Sequence, residues 1–322
     1  MSLASSSSVH TPVLAKEAIE GLAVQPGGCF IDCTVGSGGH SAGILEKISP
    51  AGRLLGIDAD PEVIEIAKSK LAHYGEAVTL VNDNFSNLEA ICDKCNFHSV
   101  DGILFDLGAS SLQLDTAQRG FSFQRDAPLD MRFDRSYGLT ATDIVNSFPE
   151  GELARIIRQN SEERHSRRIA RHIVQSRPIT TTLALAQVVE QVLGSKHTRI
   201  HPATRTFMAL RIAVNRELEN LKLALEQTVN LLRFRGRLVV ISYHSLEDRI
   251  VKEFVRREAS SCICPPGTAL CRCGHVPTLK SISKKVIKPT LGEMQSNPRS
   301  RSARMRIAER LKQADSSTYI RR

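Results

Sequence analysis

The sequence predicts an α/β protein built on a Rossmann-like, doubly wound parallel sheet. Apolar strand-like segments alternate with helix-like segments over the first third of the chain, as in consecutive strand-helix-strand units. The first apolar segment ends at Asp32, just before a glycine-rich turn, and the second ends at Asp58. Because ligands of such sheets bind at the carboxyl ends of the strands, we expect the functional site at these two ends.

The glycine-rich turn, residues 33–41, indicates close approach of a ligand to the backbone. Gly36, Gly38 and Gly39 have no Cβ, and the amides of the helix that follows attract anionic groups. A tight turn that binds nothing is the alternative for this segment taken alone.

Asp58 makes a nucleotide-like ligand the better interpretation. It lies 22 positions after Gly36, a spacing that suits a carboxylate bonded to ribose hydroxyls. A dinucleotide fingerprint requires Gly or Ala where this chain has Ser41. The acidic Asp32 before the turn also suits a zwitterionic amino-acid tail better than a pyrophosphate. The pattern therefore favours S-adenosylmethionine over a dinucleotide.

The remaining elements follow from periodicity and capping residues. Thr11 as N-cap and Pro12 at the first helical position predict a short helix before the first strand. A long helix over 204–233 is expected to connect the fourth strand to the fifth. The predicted strands are 29–32, 53–58, 78–81, 100–106 and 237–242.

The connection before the fifth strand is longer than one crossover helix requires. Helical periodicity at 150–175 and 182–193 predicts an inserted helical subdomain for substrate recognition. On one predicted helix Arg164, Arg168 and Arg171 share a face, which is either a set of phosphate contacts or a solvated surface. The predicted organisation is a flexible leader at 1–9, a discontinuous methyltransferase domain at 10–111 and 204–322, and the insert at 112–203.

The positive charge is concentrated near the carboxyl terminus. The net charge is +9, and residues 280–322 contain twelve Lys and Arg against three acidic residues, so this segment carries the whole excess. We expect a basic C-terminal tail that contacts a polyanion, with nucleic acid the leading candidate and a solvated, disordered tail the alternative.

The lack of a membrane span and of an export signal predicts a cytoplasmic protein. No apolar run approaches the roughly 18 residues that span a bilayer, and the Ser-rich start has no signal-peptide features. The eight cysteines should therefore be mostly reduced, and we interpret Cys29, Cys33, Cys92 and Cys95 as structural. The remaining four form two Cys-x-Cys pairs that fit a zinc knuckle, free thiols or a redox disulfide: Cys262, Cys264, Cys271 and Cys273.

Several long motifs show a resemblance to a known family. The sequence resembles the ribosomal RNA small subunit methyltransferase H family, also called MraW. The segments that carry the resemblance are 10–14, 32–41, 106–115, 119–132, 201–207, 242–249 and 297–302. The polar, turn-prone segment 106–135 is expected to be an active-site loop.

The resemblance implies the reaction and its partners. Members of this family use S-adenosylmethionine to methylate the N4 amine of a cytosine in the decoding region of 16S ribosomal RNA. The implied partner is 16S ribosomal RNA in small-subunit particles, with no membrane partner, and monomer and homodimer both remain open. The resemblance places cofactor contacts at Gly38, Gly39, His40, Asp58, Phe85, Asp106 and Gln113.

Asp106 is the candidate catalytic residue. Amino methyltransferases of this broad fold often have Asp or Asn, two prolines and an aromatic residue at the end of the fourth strand, whereas this chain has Asp106-Leu107-Gly108-Ala109. Asp106 remains the best acceptor to orient the cytosine amine, with cofactor binding as its other role. The cytosine must be unpaired or flipped. We also expect His244 or Asp248 near the substrate, because both follow the fifth strand.

Two rival functions remain open on the residues alone. A methyltransferase acting on DNA or protein would share the cofactor half of the chain but would not need the segment 119–132. An NAD-dependent oxidoreductase would share the sheet but bind a dinucleotide.

Overall fold

The computed structural model describes residues 12–136, 138–194, 201–265, 267–268 and 270–312. It has two compact units: a sheet unit, formed by the described residues up to Gly108 and from Leu221 onward, and a helical unit, Ala109–Asn220. The predicted boundaries of the insert are 112 and 203, whereas the compact helical unit also includes residues 109–111 and 204–220. The predicted leader at 1–9 lies outside the described residues.

The sheet unit contains seven strands in the order β3-β2-β1-β4-β5-β7-β6. The strands are β1 (Cys29–Asp32), β2 (Arg53–Asp58), β3 (Val78–Asn82), β4 (Val100–Asp106), β5 (Leu232–Ser242), β6 (Leu279–Ser281) and β7 (Arg304–Arg310). Strands β1 to β5 are parallel, and β7 is antiparallel to both β5 and β6. The strand order reverses between β1 and β4, which is the switch point where sheets of this type bind ligands.

Thirteen α-helices are present in the described part of the chain. They are α1 (Ala15–Gly21), α2 (Gly39–Ile48), α3 (Pro61–Leu71), α4 (Leu88–Cys95), α5 (Ser111–Asp115), α6 (Ala141–Ser147), α7 (Glu150–Ser161), α8 (Ser166–Gln175), α9 (Thr182–Leu193), α10 (Thr204–Asn215), α11 (Glu217–Leu231), α12 (Ser245–Glu258) and α13 (Leu291–Ser296). None of them is both long and apolar enough to cross a membrane.

Both faces of the sheet are covered by helices. Side chains along a strand alternate between faces, so Ile31 belongs to one core and Phe30 to the other. The first core adds residues of α4, α11 and α12, and the second adds residues of α1, α2 and α3. A sheet buried on both faces needs apolar residues at nearly every strand position, which explains the continuous apolar runs in the sequence.

All five predicted strands are confirmed, with 237–242 forming the carboxyl-terminal part of β5, but the predicted start of the first helix and the continuity of the helix over 204–233 are not. The first helix begins at Ala15, after a left-handed Leu14, and Thr11 lies outside the described residues. The helix predicted over 204–233 is two helices, α10 and α11, because Arg216 has a positive φ of 50°. Phe207 in α10 packs in the helical core and Leu225 in α11 packs against the sheet, so the break lets one segment serve two cores.

The prediction of a basic C-terminal tail is wrong for the described residues 280–312. This segment contributes β6, α13 and β7 to the sheet unit. Alternate side chains of β7 are buried, including Met305 and Ile307, while the basic residues between them are half-buried. A count of basic residues does not show this alternation of buried and half-buried side chains, which is typical of a strand. Residues 313–322 lie outside the described part of the chain.

The helical unit has a core of its own, and segment 119–132 is part of it. Leu129 and Met131 are buried with α6 to α10, and Arg119 is only 2% exposed. The Arg119 guanidinium donates hydrogen bonds to the carbonyl oxygens of Arg132 and Phe133. This stretch is therefore an ordered part of the helical unit, and the prediction that the longer segment 106–135 is an active-site loop stays a prediction.

Candidate cofactor and active site

The glycine-rich turn joins β1 to α2 at the carboxyl edge of the sheet. Gly36 and Gly38 have φ values of 53° and 79°, in the left-handed region that favours glycine. The amide of Gly38 donates to the carbonyl of Val35 at 2.7 Å, which closes the turn just before α2. The first amides of α2 have no partner within the helix, so they face the side from which an anionic group can approach.

Gly39 is required for a different reason, because a neighbouring proline leaves no room for a side chain. A Cβ at Gly39 would lie 2.5 Å from Cγ of Pro12. Pro12 belongs to the segment before α1, so that segment closes over the start of α2. Gly38 is thus favoured by its left-handed backbone conformation, and Gly39 by the lack of space for a side chain.

Asp32 shapes the turn from within. Its carboxylate accepts hydrogen bonds from the amide of Thr34 at 3.1 Å and the hydroxyl of Ser41 at 2.7 Å, and the residue is 1% exposed. Both oxygens therefore hold the turn together. Contact between Asp32 and an amino-acid tail, which its position in the sequence suggested, is not needed to explain this residue.

Asp58 ends β2 and presents its carboxylate to the turn. Oδ2 accepts from the amide of Gly36 and Oδ1 from the amide of Asp60, both at 3.0 Å. Burial raises the pKa of Asp58 to about 7, against the opposing effect of these two hydrogen bonds. A carboxylate has about four lone-pair positions, so two remain to accept a pair of hydroxyl groups.

Phe85 follows β3 and is half-buried. Its ring packs edge-on against that of Phe105, with the centroids 5.6 Å apart. The core thus holds one side of Phe85 while part of the ring remains accessible at the carboxyl edge of the sheet. A fixed aromatic face is suited to an adenine ring.

Asp106 ends β4, and other side chains engage both of its carboxylate oxygens. The phenol of Tyr243 donates to Oδ1 at 2.7 Å, and Nε2 of His40 lies 3.4 Å from Oδ2. The amide of Asp106 donates to Oγ1 of Thr34 at 2.6 Å, which ties the end of β4 to the turn. The structure therefore brings His40, Asp106 and the turn together.

The two partners of Asp106 have shifted pKa values. Burial alone lowers the pKa of His40, but the nearby carboxylate of Asp106, with the charge of Asp32, outweighs it and raises the pKa. Burial and the charge of Asp106 raise the pKa of Tyr243 well above its usual range. Tyr243 therefore keeps its proton as a donor to Asp106.

Two residues of this site are missing from the sequence-based prediction. Tyr243 follows the end of β5, so the rule that points to Asp106 also points to it. Glu293, in α13, accepts from the amide of Leu14 at 2.7 Å, and its charge raises the pKa values of His40 and Tyr243. Glu293 was missed because its segment had been interpreted as a tail, outside the sheet.

Three other predicted residues have local roles in the structure. Gln113 belongs to the helical unit, where its Oε1 accepts from the amide of Ser110 and completes the capping box of α5. His244 caps α12, and its Nε2 lies 3.1 Å from Glu247. Asp248 binds arginines of β7 through both oxygens. The cofactor role of Gln113 and the substrate proximity of His244 and Asp248 remain predictions.

The comparison with protein families decides the identity of this fold and site. A family model described as the MraW methylase family matches residues 7–311. The chain belongs to the MraW methylase family. Membership confirms the resemblance found from the motifs and the use of S-adenosylmethionine by a methyltransferase. The observed sheet confirms the Rossmann-like fold class.

Individual relatives of this MraW methylase match over nearly its full length. The protein of Dehalococcoides mccartyi (strain ATCC BAA-2100 / JCM 16839 / KCTC 5957 / BAV1), named ribosomal RNA small subunit methyltransferase H, is 55% identical, covering 94% of this chain and 86% of its own length. A protein of the same name from Syntrophotalea carbinolica is 50% identical, with 94% and 98% covered. That of Thermomicrobium roseum is 51% identical, with 95% and 94% covered.

Proposed function

We propose that this MraW methylase transfers a methyl group from S-adenosylmethionine to the N4 amine of a cytosine in the decoding region of 16S ribosomal RNA. The observation that carries the proposal is the Asp106 carboxylate, held by Tyr243 and His40 beside the glycine-rich turn. The names of the relatives, which are ribosomal RNA small subunit methyltransferases, support the class of substrate.

The residues of the turn fit the cofactor. The two remaining acceptor positions of Asp58 match two ribose hydroxyls, the half-buried ring of Phe85 matches the adenine, and the free amides at the start of α2 match a carboxylate. When bound, S-adenosylmethionine supplies a methyl group activated by a positively charged sulfur. We propose Gly38, Gly39, His40 and Asp106 as the remaining contacts in the sheet unit.

Asp106 is proposed to orient the amine. The N4 lone pair of cytosine is conjugated with the ring, so the amine becomes a nucleophile only when its hydrogens are held out of that geometry. Tyr243 and His40 each engage one oxygen of Asp106, and each oxygen has a second acceptor position. Holding the reactants in line is worth roughly 7–11 kcal/mol in well-aligned systems, so positioning supplies most of the rate.

The helical unit is proposed to hold the surrounding RNA. Arg164 and Arg167 are exposed, and the planar fork of arginine suits phosphate groups. The arginine face is smaller than the sequence predicts. Arg164 precedes α8, Arg168 donates to the carbonyl of Val192, and Arg171 lies 3.6 Å from Glu150.

The test is methylation of unmodified substrate. The purified protein is incubated with labelled S-adenosylmethionine and either small subunits or free 16S RNA that lack the modification, followed by nucleoside analysis. We expect N4-methylcytidine at a single position. Cofactor binding with no RNA methylation would contradict the substrate, and methylation of DNA or protein would favour the rival function.

Tyr243→Phe tests the positioning of Asp106. The substitution removes one hydrogen bond to a charged group, so we expect kcat to fall about tenfold, equivalent to about 1.4 kcal/mol, with an unchanged dissociation constant for S-adenosylmethionine. Steady-state kinetics and calorimetry measure the two quantities separately. Tyr74→Phe is the matched control, because the hydroxyl of Tyr74 makes only a 3.4 Å contact with the carbonyl of Ala42. An unchanged kcat in Tyr243→Phe would remove this residue from the mechanism.

Cofactor binding should depend on the protonation of Asp58. Ribose hydroxyls donate to the ionised carboxylate, so binding favours that form and lowers the raised pKa of about 7. We therefore expect affinity to rise with pH up to about 7 and to level off above it, with protons released on binding below that pH. Calorimetry in two buffers of different ionisation enthalpy measures the protons. In Asp58→Asn this release of protons and the accompanying pH dependence of affinity should vanish. If they persisted, another group would be responsible for them.

A further inference from the structure

The loop between α12 and β6 contains four cysteine thiols that the proposed reaction does not use. They are Cys262, Cys264, Cys271 and Cys273. All four sulfur atoms lie within 4.8 Å of one another, although the residues come from two separate Cys-x-Cys pairs. None of them forms a disulfide bond.

The spacing of the sulfurs is that of a single tetrahedral metal site. The Sγ–Sγ distances are 3.5 Å between Cys271 and Cys273, 3.8 Å between Cys262 and Cys273, and 4.0 Å between Cys264 and Cys271. A zinc–sulfur bond of about 2.3 Å gives a tetrahedron with edges of about 3.8 Å. A disulfide requires about 2.05 Å. In a multi-iron cluster the four thiolates bind at least two different irons, so some of their sulfurs lie further apart than in a single-ion site.

The backbone around the cluster is already arranged for sulfur anions. The amide of Ile263 donates to Sγ of Cys273, and the amide of Cys264 donates to Sγ of Cys262, both at 3.4 Å. Such hydrogen bonds hold thiolate ligands in place and offset part of their charge.

The loop has no apolar core that could hold it in this form. None of the described residues between 262 and 273 belongs to a hydrophobic core, and Ile263 and Leu270 are 47% and 72% exposed. Its attachment lies just beyond the cluster, where His275 contacts the carbonyl of Arg257 at 3.0 Å. A small segment without a core needs a cross-link to keep one conformation.

We propose that Cys262, Cys264, Cys271 and Cys273 bind one zinc ion in a tetrahedral site. Four thiolate ligands fill the coordination sphere, so the site is structural and has no open position for substrate. Binding displaces the thiol protons to solvent. The site stabilises the loop that precedes the edge strand β6, and it takes no part in methyl transfer.

The first experiment measures metal in the full-length protein, purified without a histidine tag under reducing conditions. Mass spectrometry of the elements should find close to one zinc ion per chain. A Cys271→Ser/Cys273→Ser protein should retain less than about a tenth of that amount, because two of the four ligands are lost. Cys95→Ser, at a half-buried cysteine in α4, should keep its zinc and serves as the control.

A second measurement on the unmodified chain covers the case in which the double variant does not fold. Exchange of zinc for Co²⁺ should produce sulfur-to-cobalt charge-transfer bands together with the visible bands of a tetrahedral ion. Chelation should then expose four thiols to a thiol reagent and make the loop more sensitive to protease, while S-adenosylmethionine binding is retained.

Three results would overturn the proposal. The first is a metal-free protein from zinc-supplemented cells with four freely reactive thiols. The second is a mass decrease that matches two disulfide bonds. The third is iron in place of zinc, which would show that the four cysteines bind a metal ion but that the proposed ion is wrong.

Discussion

Asp106→Asn is expected to reduce the rate of methyl transfer by about 100- to 1000-fold. Methylation turns a neutral amine into a cation, and in the proposed mechanism the Asp106 carboxylate accepts a hydrogen bond from that amine. The amide has no negative charge, and its NH₂ group would meet either the Tyr243 hydroxyl or the His40 ring, where the carboxylate has acceptors. The loss therefore combines charge with orientation.

Single-turnover kinetics with saturating cofactor measures this effect apart from binding. Asp93→Asn, at an exposed carboxylate of α4, is the matched control and should leave the rate unchanged. Asp106→Glu keeps the charge but shifts its position, so we expect a rate between those of the parent and of Asp106→Asn. If the whole loss in Asp106→Asn lay in the affinity for S-adenosylmethionine, Asp106 would be a cofactor ligand and not the acceptor for the amine.

Asp248→Asn is expected to lower the free energy of unfolding by about 2–3 kcal/mol. Asp248 in α12 is buried and accepts from Arg306 at 2.7 and 3.2 Å and from Arg304 at 3.3 Å, which ties the helix to β7. Removing the carboxylate leaves two arginines without their charge partner. Arg304 is 42% exposed, so water offsets part of the cost that a fully buried network would show.

The stability of the parent protein should also fall in acid. Burial alone would raise the pKa of Asp248, but the hydrogen bonds and charges of Arg306, followed by those of Arg304, lower it overall. The stabilisation is therefore fully present above the unfolded pKa of about 4 and is lost as the pH falls through the lower folded value.

Chemical denaturation at a series of pH values measures both effects. In Asp248→Asn the part of the stability loss at low pH that comes from protonation of Asp248 should be absent, because asparagine does not titrate. Glu65→Gln removes the exposed Lys68–Glu65 ion pair and should change stability by less than about 1 kcal/mol. Equal losses in Asp248→Asn and Glu65→Gln would show that the link between α12 and β7 adds no more than a surface pair.

Local patterns were sufficient for the first half of the sheet. Apolar runs that end in Asp32, Asp58 and Asp106 predicted three strands and the edge at which they meet, because parallel strands put their carboxyl ends together. The glycine spacing predicted the turn, and the two observed left-handed residues, Gly36 and Gly38, are those that a side chain would have strained.

The carboxyl-terminal part was misinterpreted because composition was weighed above periodicity. The basic residues of 280–322 were counted together as a tail, yet the side chains of Arg304 and Arg306 pair with Asp248, more than fifty residues earlier in the chain. Contact of the segment with a polyanion stays a prediction. The charge of these two arginines is used within the fold. A count of basic residues cannot reveal this, because it carries no information about which acidic residue the fold brings opposite.

The sequence by itself determined the family and the parallel sheet, and it singled out Asp106 at the carboxyl edge where the cofactor is proposed to bind. Only the tertiary structure showed that Tyr243 and His40 hold the two oxygens of Asp106, and that Glu293 reaches the same edge. It also showed that the four cysteine sulfur atoms of 262–273 lie close enough together to bind one metal ion. Strand ends and turns leave signals within a few residues, whereas partners from distant segments meet only when the chain is folded.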